Sequence, residues 1–311
     1  MNQGILCGML PGMLVCGLAA GPLPGAESRI RLSDGLAQSP GPHLTYEDPR
    51  SLAAVINRQG PGSSTLLFGF QREAVRTGQM LDVRRDYTYP DGKLAARERA
   101  LYEGNDLVLY ELQESQIGAR GSARIRRVPG NPAKGSIEFE YSKAPGTAPK
   151  TSTEALAQNT LIGDMVAPFL VSHWTELRRG EKLRCRYIVV PRRETVGFTF
   201  VEDSQATGQS QDVVIIRMEA TSRFVAALVD PVFFTIEKAS PHRILQYAGR
   251  TVPKIQAGGK WRDLDAVTVF DWKSAHSKTS RRDARPVSGK ALDWFDRFAN
   301  AGRARGGARS E

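Results

Sequence analysis

The sequence predicts an α+β protein in which one large, curved antiparallel β-sheet of half-barrel-like form wraps around a central helix. Apolar and polar residues alternate with period two in many short stretches from residue 65 onwards, the pattern of strands with one buried face. Short turn sequences separate these stretches, as antiparallel strands allow. A single wide apolar stripe with helical spacing lies among them, and a sheet of about ten strands needs such an element to cover its apolar face.

The stripe that predicts the central helix runs from 161 to 177. Its apolar residues recur at intervals of three and four: Leu161, Ile162, Met165, Val166, Phe169, Leu170, Trp174 and Leu177. Thr160 can cap the start of this helix, and Gly180 can adopt the left-handed conformation that ends it. Pro168 should kink the helix or divide it into two short ones.

The strands before this helix form a meander with one solvated face. In the first clear strand, Leu81, Val83 and Tyr87 share one face, and charged residues alternate with them on the other. Residues 90–93, Pro-Asp-Gly-Lys, contain the Asp-Gly pair that is typical of a hairpin turn. The strands predicted in this part of the chain are 81–89, 94–103, 107–114, 122–128 and 137–141.

The meander resumes after the helix. The strands predicted there are 183–189, 196–200, 213–218, 232–237, 244–247 and 264–270. Residues 224–229 form a short helix or a loop. The apolar run from 224 to 234 that they begin lies on a connection and should be buried as a plug or meet a hydrophobic partner; burial is the preferred interpretation. Short helices are also predicted at 52–56 and, from a capping-box pattern, at 151–154.

The composition along the chain predicts four segments. They are a signal peptide at 1–26, an extended lead-in at 27–63, a single curved-sheet domain at 64–272, and a basic tail with a short amphipathic helix at 273–311. Residues 1–26 contain no charged side chain and hold a short apolar run, which favours a cleaved leader over a membrane-spanning helix, although no Lys or Arg precedes that run. Lipid attachment at Cys16 is a weaker alternative. We therefore expect an exported protein, periplasmic or extracellular.

The formal net charge of the 311-residue chain is +10. The tail from 273 to 311 holds ten Lys and Arg against four Asp and Glu. This tail is either a solvated, solubilising segment or a docking segment for an anionic envelope surface. We expect no nucleic-acid partner.

A search for catalytic and metal-binding patterns predicts no catalytic residue, no metal site and no cofactor. Nucleophile-elbow, zinc-protease, phosphate-loop and EF-hand patterns are absent from the sequence, and the four histidines lack ligand spacing to one another. Cys185 is the only thiol beyond the leader, which excludes an internal disulfide, and its strand position favours an inert buried side chain. The alternating carboxylates Glu138/Glu140 and Asp263/Asp265 could serve acid–base hydrolysis but are also the ordinary pattern of a solvated sheet face.

Aromatic residues on the helix and the later strands are the most suggestive candidates for a ligand site. They either fill the core or line an apolar pocket between helix and sheet. With one histidine that is either a hydrogen-bonded core residue or a ligand contact, the candidate ligand-binding residues are Phe169, His173, Trp174, Tyr187, Phe198, Phe200, Phe224 and Phe233.

This order of elements resembles the periplasmic lipoprotein carriers of Gram-negative bacteria and related uncharacterised envelope proteins. The resemblance covers roughly residues 64 to 272 and depends on a leader, a long meander, a helix across its concave face and a short helical lid. It implies a non-enzymatic protein that holds acyl chains in an apolar half-barrel. The basic tail is a departure from these carriers.

The leading prediction is therefore an exported, non-enzymatic envelope protein that binds a hydrophobic ligand, acyl or lipid-like, or an envelope partner. The first alternative is a structural or interaction protein with a filled core whose tail docks on an anionic surface. The second is a hydrolase-type enzyme without a recognisable motif.

Overall fold

The computed structural model describes residues 51–58, 65–207, 211–227 and 229–273, without the side chains of residues 132 and 133. In this part of the chain, fifteen strands form one sheet, where about ten were expected. The strands are β1 Ser51–Arg58, β2 Leu66–Thr77, β3 Met80–Thr88, β4 Leu94–Glu103, β5 Asp106–Glu114, β6 Ala119–Val128, β7 Asn131–Ser142, β8 Lys150–Ala155, β9 Thr160–Leu161, β10 Leu183–Val189, β11 Glu194–Glu202, β12 Val213–Ala220, β13 Val232–Glu237, β14 Ile244–Ala257 and β15 Lys260–Asp271. The large antiparallel sheet predicted from alternation is confirmed.

The sheet consists of two meanders joined through the first and last strands. Its order is β8-β7-β6-β5-β4-β3-β2-β1-β15-β14-β13-β12-β11-β10-β9. All neighbours are antiparallel except β9 and β10, which are parallel. The β1–β15 pairing runs from Ala53 opposite Asp271 to Arg58 opposite Ala266. The edge strands β8 and β9 are therefore consecutive in the sequence, although they lie at opposite ends of the strand order.

Two predicted short helices are wrong, because both segments are strands. Residues 52–56 lie in β1, which pairs with β2 on one side and β15 on the other and buries Leu52, Ala54 and Ile56. The partners on both sides outweigh a weak helical propensity. Residues 151–154 lie in β8, where the Ser152 hydroxyl donates to the Arg193 carbonyl instead of capping a helix.

The predicted central helix is shorter and more divided than its apolar stripe suggests. Its start belongs to β9, followed by a 3₁₀ turn Gly163–Met165, helix α1 Val166–Ser172 and helix α2 Trp174–Arg178. The division falls at His173 (φ −111°, ψ 26°), not at Pro168. Pro168 is the third residue of α1, where an N–H has no intrahelical acceptor and its loss costs little. Gly180 has φ +78° and makes the left-handed exit that was predicted.

The buried residues of α1 and α2 share one hydrophobic cluster with both meanders. Phe169, Leu170 and Leu177 have at most 1% exposure. This main cluster also contains buried residues of β3 to β7 and of β9 to β14. A second cluster, formed by β1, the starts of β2 and β4, the end of β3 and part of β15, is centred on Ile56 and Phe68.

Side chains bridge the two ends of the strand order where backbone pairing is absent. The Glu154 carboxylate of β8 accepts hydrogen bonds from Thr195 in β11, at 2.9 Å from the backbone nitrogen and 2.7 Å from the hydroxyl oxygen. The nearby Val190 side chain approaches Gly121 in β6, where a Cβ would lie 2.7 Å from its Cγ1 atom. The sheet is not closed by its hydrogen-bond ladder, but these contacts connect strands of its two halves.

The first part of the 224–234 run contradicts the prediction of burial, whereas Val232 and Phe234 in β13 are buried. This first part overlaps the four-residue helix α4, Arg223–Ala226, which has no buried residue, and Phe224 is 87% exposed. Met218 of β12 pairs with Val232 of β13 at the last register position of the two strands, so α4 lies in the connection beyond this pairing. Another four-residue helix, α3 Ser204–Thr207, packs on β12.

The predicted leader, most of the lead-in and nearly all of the basic tail, including its amphipathic segment, lie outside the described residues. Among the residues that are described, no helix combines the length and apolar character needed to cross a membrane.

Candidate functional site

Three adjacent strands each carry a charged residue at an inward-facing position. Arg72 of β2 lies opposite Arg85 of β3, and Arg85 lies opposite Glu98 of β4. Each interrupts a run of inward apolar residues, because β2 contributes Phe70 before Arg72 and β4 contributes Ala100 after Glu98. A charge in such surroundings is costly unless it is paired, so its partners determine what the position can do.

Arg72 is paired with Asp164, which extends from the 3₁₀ turn before α1. The Arg72 Nε atom lies 2.6 Å from Oδ1 of Asp164, and Nη2 lies 3.2 Å from Oδ2. The Tyr102 hydroxyl donates to Oδ2 at 3.0 Å. Burial opposes ionisation of Asp164, but attraction and hydrogen bonding from Arg72, together with Arg85 and Tyr102, hold its pKa below the usual value. This ion pair fixes the turn before α1 to the inner face of the sheet.

Glu98 is surrounded by three donors. Its Oε2 atom accepts a hydrogen bond from the Tyr87 hydroxyl at 2.6 Å and lies 3.2 Å from Nη1 of Arg85, while Oε1 accepts from the Tyr110 hydroxyl. Burial is the largest cause of the raised pKa of both tyrosines, so their hydroxyls stay protonated and donate. For Arg85, burial lowers the pKa, but attraction to Glu98 and neighbouring oxygens outweighs it and holds the pKa well above the usual value.

We call Arg72, Arg85, Glu98 and Asp164, with their three tyrosine partners, the polar layer. It lies between the two hydrophobic clusters. On β3, Val83 before Arg85 belongs to the main cluster and Tyr87 after it to the second cluster. On β4, which is antiparallel to β3, Ala96 before Glu98 belongs to the second cluster and Ala100 after it to the main cluster. The polar layer therefore separates the two clusters along β3 and β4.

Gly163 allows the turn before α1 to approach the polar layer. A Cβ atom on Gly163 would lie 2.5 Å from Nη1 of Arg85 and 3.1 Å from the hydroxyl oxygen of Tyr187. Both atoms therefore lie close to Gly163, and a larger residue would not fit at this position without moving them. Arg85 also lies over the Phe70 ring, with its Cζ atom 5.3 Å from the ring centroid.

The structure brings together most, but not all, of the predicted ligand-binding aromatics. The Phe169 ring lies 5.7 Å from that of Phe200, and both are fully buried. The rings of Tyr187 and Phe198 lie 6.1 Å apart and pack on the main cluster while remaining partly exposed, as does Trp174. Phe169 and Phe200 therefore belong to the closely packed interior, whereas Trp174, Tyr187 and Phe198 keep part of their surface exposed.

The remaining candidates are placed differently. Phe224 is exposed, and Phe233 packs with Ala248 and Val267 in a small cluster separate from the main one. His173 keeps 15% side-chain exposure, with its ring 4.8 Å from Phe169 and its Nδ1 atom 3.6 Å from a Glu176 oxygen. His173 therefore lies at the margin of the core, where its ring packs on Phe169 and its Nδ1 atom faces a carboxylate.

The polar layer was not predicted from the sequence. The pattern that could have revealed it is a charged residue at an inward position of an alternating strand, such as Arg85 between Val83 and Tyr87. The sequence prediction also missed Tyr247, which packs on the main cluster while partly exposed, with its ring 5.4 Å from that of Phe234.

The paired carboxylates and outward arginines form ion pairs with each other. Asp263 lies 2.7 Å from Arg250 and 2.8 Å from Lys254, and Glu138 lies 3.3 Å from Arg126. These pairs are those of a solvated sheet face. Among the described residues, no group of three or more His, Cys, Asp or Glu side chains is placed to hold a metal ion.

The described chain is thus a mostly-strand protein built on one open antiparallel sheet, with short helices packed in the main cluster. No family model matches the sequence, and no curated protein matches it at a significant level. Among solved structures, it is similar to a β-barrel-like protein of the domain of unknown function DUF1849 from Brucella abortus. The two share 10% identity with a TM-score of 0.33, over 71% of this chain and 94% of that chain. At this TM-score the likeness supports no conclusion about function.

Proposed function

We propose that the protein is an exported, non-enzymatic binding protein for a hydrophobic ligand, acyl or lipid-like, held beside α1 and α2. The observation that carries this proposal is a group of partly exposed aromatic side chains packed on the main cluster: Trp174, Tyr187, Phe198 and Tyr247. Aromatic faces that remain accessible while their other sides touch the core are typical of ligand-binding surfaces.

The arrangement of these rings supports a site in which buried aromatic residues form the base and partly exposed ones face the ligand. Phe169 and Phe200 are packed at 1% and 0% exposure behind the partly exposed rings. Trp174 stacks on His242, with ring centroids 4.1 Å apart, which holds one side of the site in place. A ligand that covers the accessible ring faces would gain about 25 cal/mol for each Å² of apolar surface removed from water.

We further propose that the sheet curves around α1 and α2 as a half-barrel. The membership of both meanders in the main cluster supports this curvature, since a flat sheet of fifteen strands could not reach the same helices from both halves. The bridge from Glu154 to Thr195 supports it too, because it joins strands from opposite ends of the strand order.

The pairing within the polar layer favours binding over hydrolysis. Glu98 and Asp164 are the two carboxylates of the polar layer, and each is already engaged by an arginine and at least one tyrosine hydroxyl. A general acid or base must exchange its proton with a substrate, whereas these groups are held by protein partners.

The test uses a neutral apolar probe, N-phenyl-1-naphthylamine, whose fluorescence rises when it leaves water. We expect saturable binding to the full chain and a loss of about tenfold or more in affinity for Trp174→Glu, because a buried carboxylate in the site is costly. The matched control is Trp261→Glu, since Trp261 is 39% exposed on β15.

The control variant should bind the probe like the unmodified protein. An absence of saturable binding to the folded protein would overturn the proposal. So would an equal affinity of the two tryptophan variants, because the site would then lie elsewhere.

A further inference from the structure

The two arginines of the polar layer differ in how completely they are paired. Arg72 makes a two-point contact with Asp164, and the two side chains are only 5% and 3% exposed. Arg85 has one ion-pair partner among the described residues, Glu98, reached through Nη1, and its side chain is 18% exposed. A guanidinium group carries five N–H donors, so Arg85 retains donors that the protein does not use.

The Arg85 guanidinium group lies beside Tyr187, one of the aromatics of the proposed ligand site. Its Nη1 atom, which also contacts Glu98, and the Tyr187 hydroxyl both lie against Gly163, where a Cβ atom would be 2.5 Å and 3.1 Å from them. Tyr187 is one of the partly exposed aromatics, and its ring meets that of Phe198. Its hydroxyl forms no hydrogen bond to another described residue, and burial raises its pKa, so the proton is available to donate.

Glu98 can release Arg85 without being left unpaired. The Tyr87 and Tyr110 hydroxyls both donate to its carboxylate. The four formal charges of the polar layer sum to zero, so an entering ester adds no charge and an entering carboxylate adds one. In surroundings of low dielectric constant, a cation with spare donors attracts such an oxygen strongly.

We infer that Arg85, with the Tyr187 hydroxyl beside it, binds the oxygen atoms of an acyl head group, either the carboxylate of a fatty acid or the carbonyl of an acyl ester. The acyl chain then lies along the partly exposed aromatics. This inference rests on the proposed function and adds to it the polar end of the ligand. Charge-assisted hydrogen bonds of this kind are among the strongest that proteins make.

The experiment measures displacement of bound N-phenyl-1-naphthylamine by palmitate and by methyl palmitate. For Arg85→Met we expect palmitate to bind about 10- to 100-fold more weakly, the range for loss of a hydrogen bond to a charged group. Binding of the neutral probe itself should be unchanged. Because Arg85→Met leaves Glu98 without its cation, a second variant, Arg85→Met/Glu98→Gln, removes both charges and keeps the layer neutral.

The control variant is Arg99→Met, since Arg99 pairs with Asp82 on the solvated face of the same sheet. It should bind both acyl compounds like the unmodified protein. A larger loss for palmitate than for methyl palmitate assigns the site to a carboxylate, and equal losses assign it to a carbonyl. Unchanged affinity for both compounds in the charge-neutral double variant, with probe binding retained, would overturn the inference but leave the proposed function standing.

A measurement on the unmodified protein tests the same contact without any substitution. The carboxyl carbon of bound palmitate, labelled with ¹³C, should remain in its ionised NMR position below about pH 4.3, the ordinary pKa of a carboxyl group of this type, because Arg85 stabilises the anion. If methyl palmitate binds as tightly as palmitate and the bound acid titrates above that value, a carboxylate contact with Arg85 is wrong.

Discussion

Replacing Asp164 with asparagine tests whether the polar layer fixes the central helices to the sheet. The substitution preserves the shape of the side chain but removes the charge that Arg72 Nε contacts at 2.6 Å. Both side chains are at most 5% exposed, so water cannot replace the lost partner. Arg72 then loses the counter-charge that Asp164 supplies.

The expected cost follows from that burial. Removing one partner of a buried ion pair destabilises a protein by about 3–5 kcal/mol. The hydrogen bond from Tyr102 can be kept by the amide oxygen of the replacement side chain, which places the expected value towards the lower end of that range. With a urea m-value of about 2–3 kcal/mol/M, the unfolding midpoint should fall by about 1–2 M.

Urea unfolding followed by circular dichroism measures this cost, with Asp82→Asn as the control. Asp82 pairs with Arg99 on the solvated face at 42% side-chain exposure, and its loss should cost no more than about 1 kcal/mol. The double replacement Arg72→Met/Asp164→Leu should recover most of the stability, because it removes both charges. A loss for Asp164→Asn no larger than that for Asp82→Asn would refute the structural role of the layer.

The same ion pair predicts a pH dependence. The pKa of Asp164 is lower in the folded state than its unfolded value of about 3.9. A carboxyl group with a depressed pKa contributes stability above its unfolded pKa and loses it as pH falls through the folded value. The stability advantage over Asp164→Asn should therefore be constant near neutral pH and shrink below about pH 4.

Two further predictions concern exposure and reactivity. Phe224→Ala should change the free energy of unfolding by no more than about 0.5 kcal/mol, because Phe224 is exposed. Phe169→Ala should lower it by about 3–5 kcal/mol, because Phe169 is buried. Similar losses for the two variants in urea titrations would contradict these exposures. Burial raises the pKa of Cys185 to about 12, so its thiol should react with a disulfide reagent at about pH 8 only after unfolding; rapid reaction of the native protein carrying Cys7→Ser and Cys16→Ser would contradict this burial.

Local sequence patterns predicted the strands well, because alternation and turn chemistry act over only a few residues. Residues 90–93 form the expected hairpin, in which Oδ1 of Asp91 accepts from the Lys93 amide at 3.0 Å and Gly92 has φ +87°. The same local reasoning failed at two weak helical patterns. Residues 52–56 pair with the distant strand β15, and residues 151–154 pair with the preceding strand β7. Strand partners supply more stabilisation than the local propensity.

The predicted site was partly right for a similar reason. The sequence showed which aromatics lie on apolar faces, and Phe169, Tyr187, Phe198 and Phe200 do contribute to the main cluster. It could not show how far each ring would be covered, since coverage depends on elements far apart in the chain. The exposure of Phe224 is the clearest case, because an apolar run predicts burial only where another element is present to cover it.

The sequence by itself determined the strand pattern, the antiparallel class of the sheet and the apolar face of the central helices, since each depends on contacts between near neighbours in the chain. Only the tertiary structure decided that Arg72, Arg85 and Glu98 stand in one row and that Asp164, many residues later, completes it. The reason is that a buried charge is tolerated only beside a partner, and the register between strands decides which residues become neighbours. Alternation within a single strand carries no information about that partner.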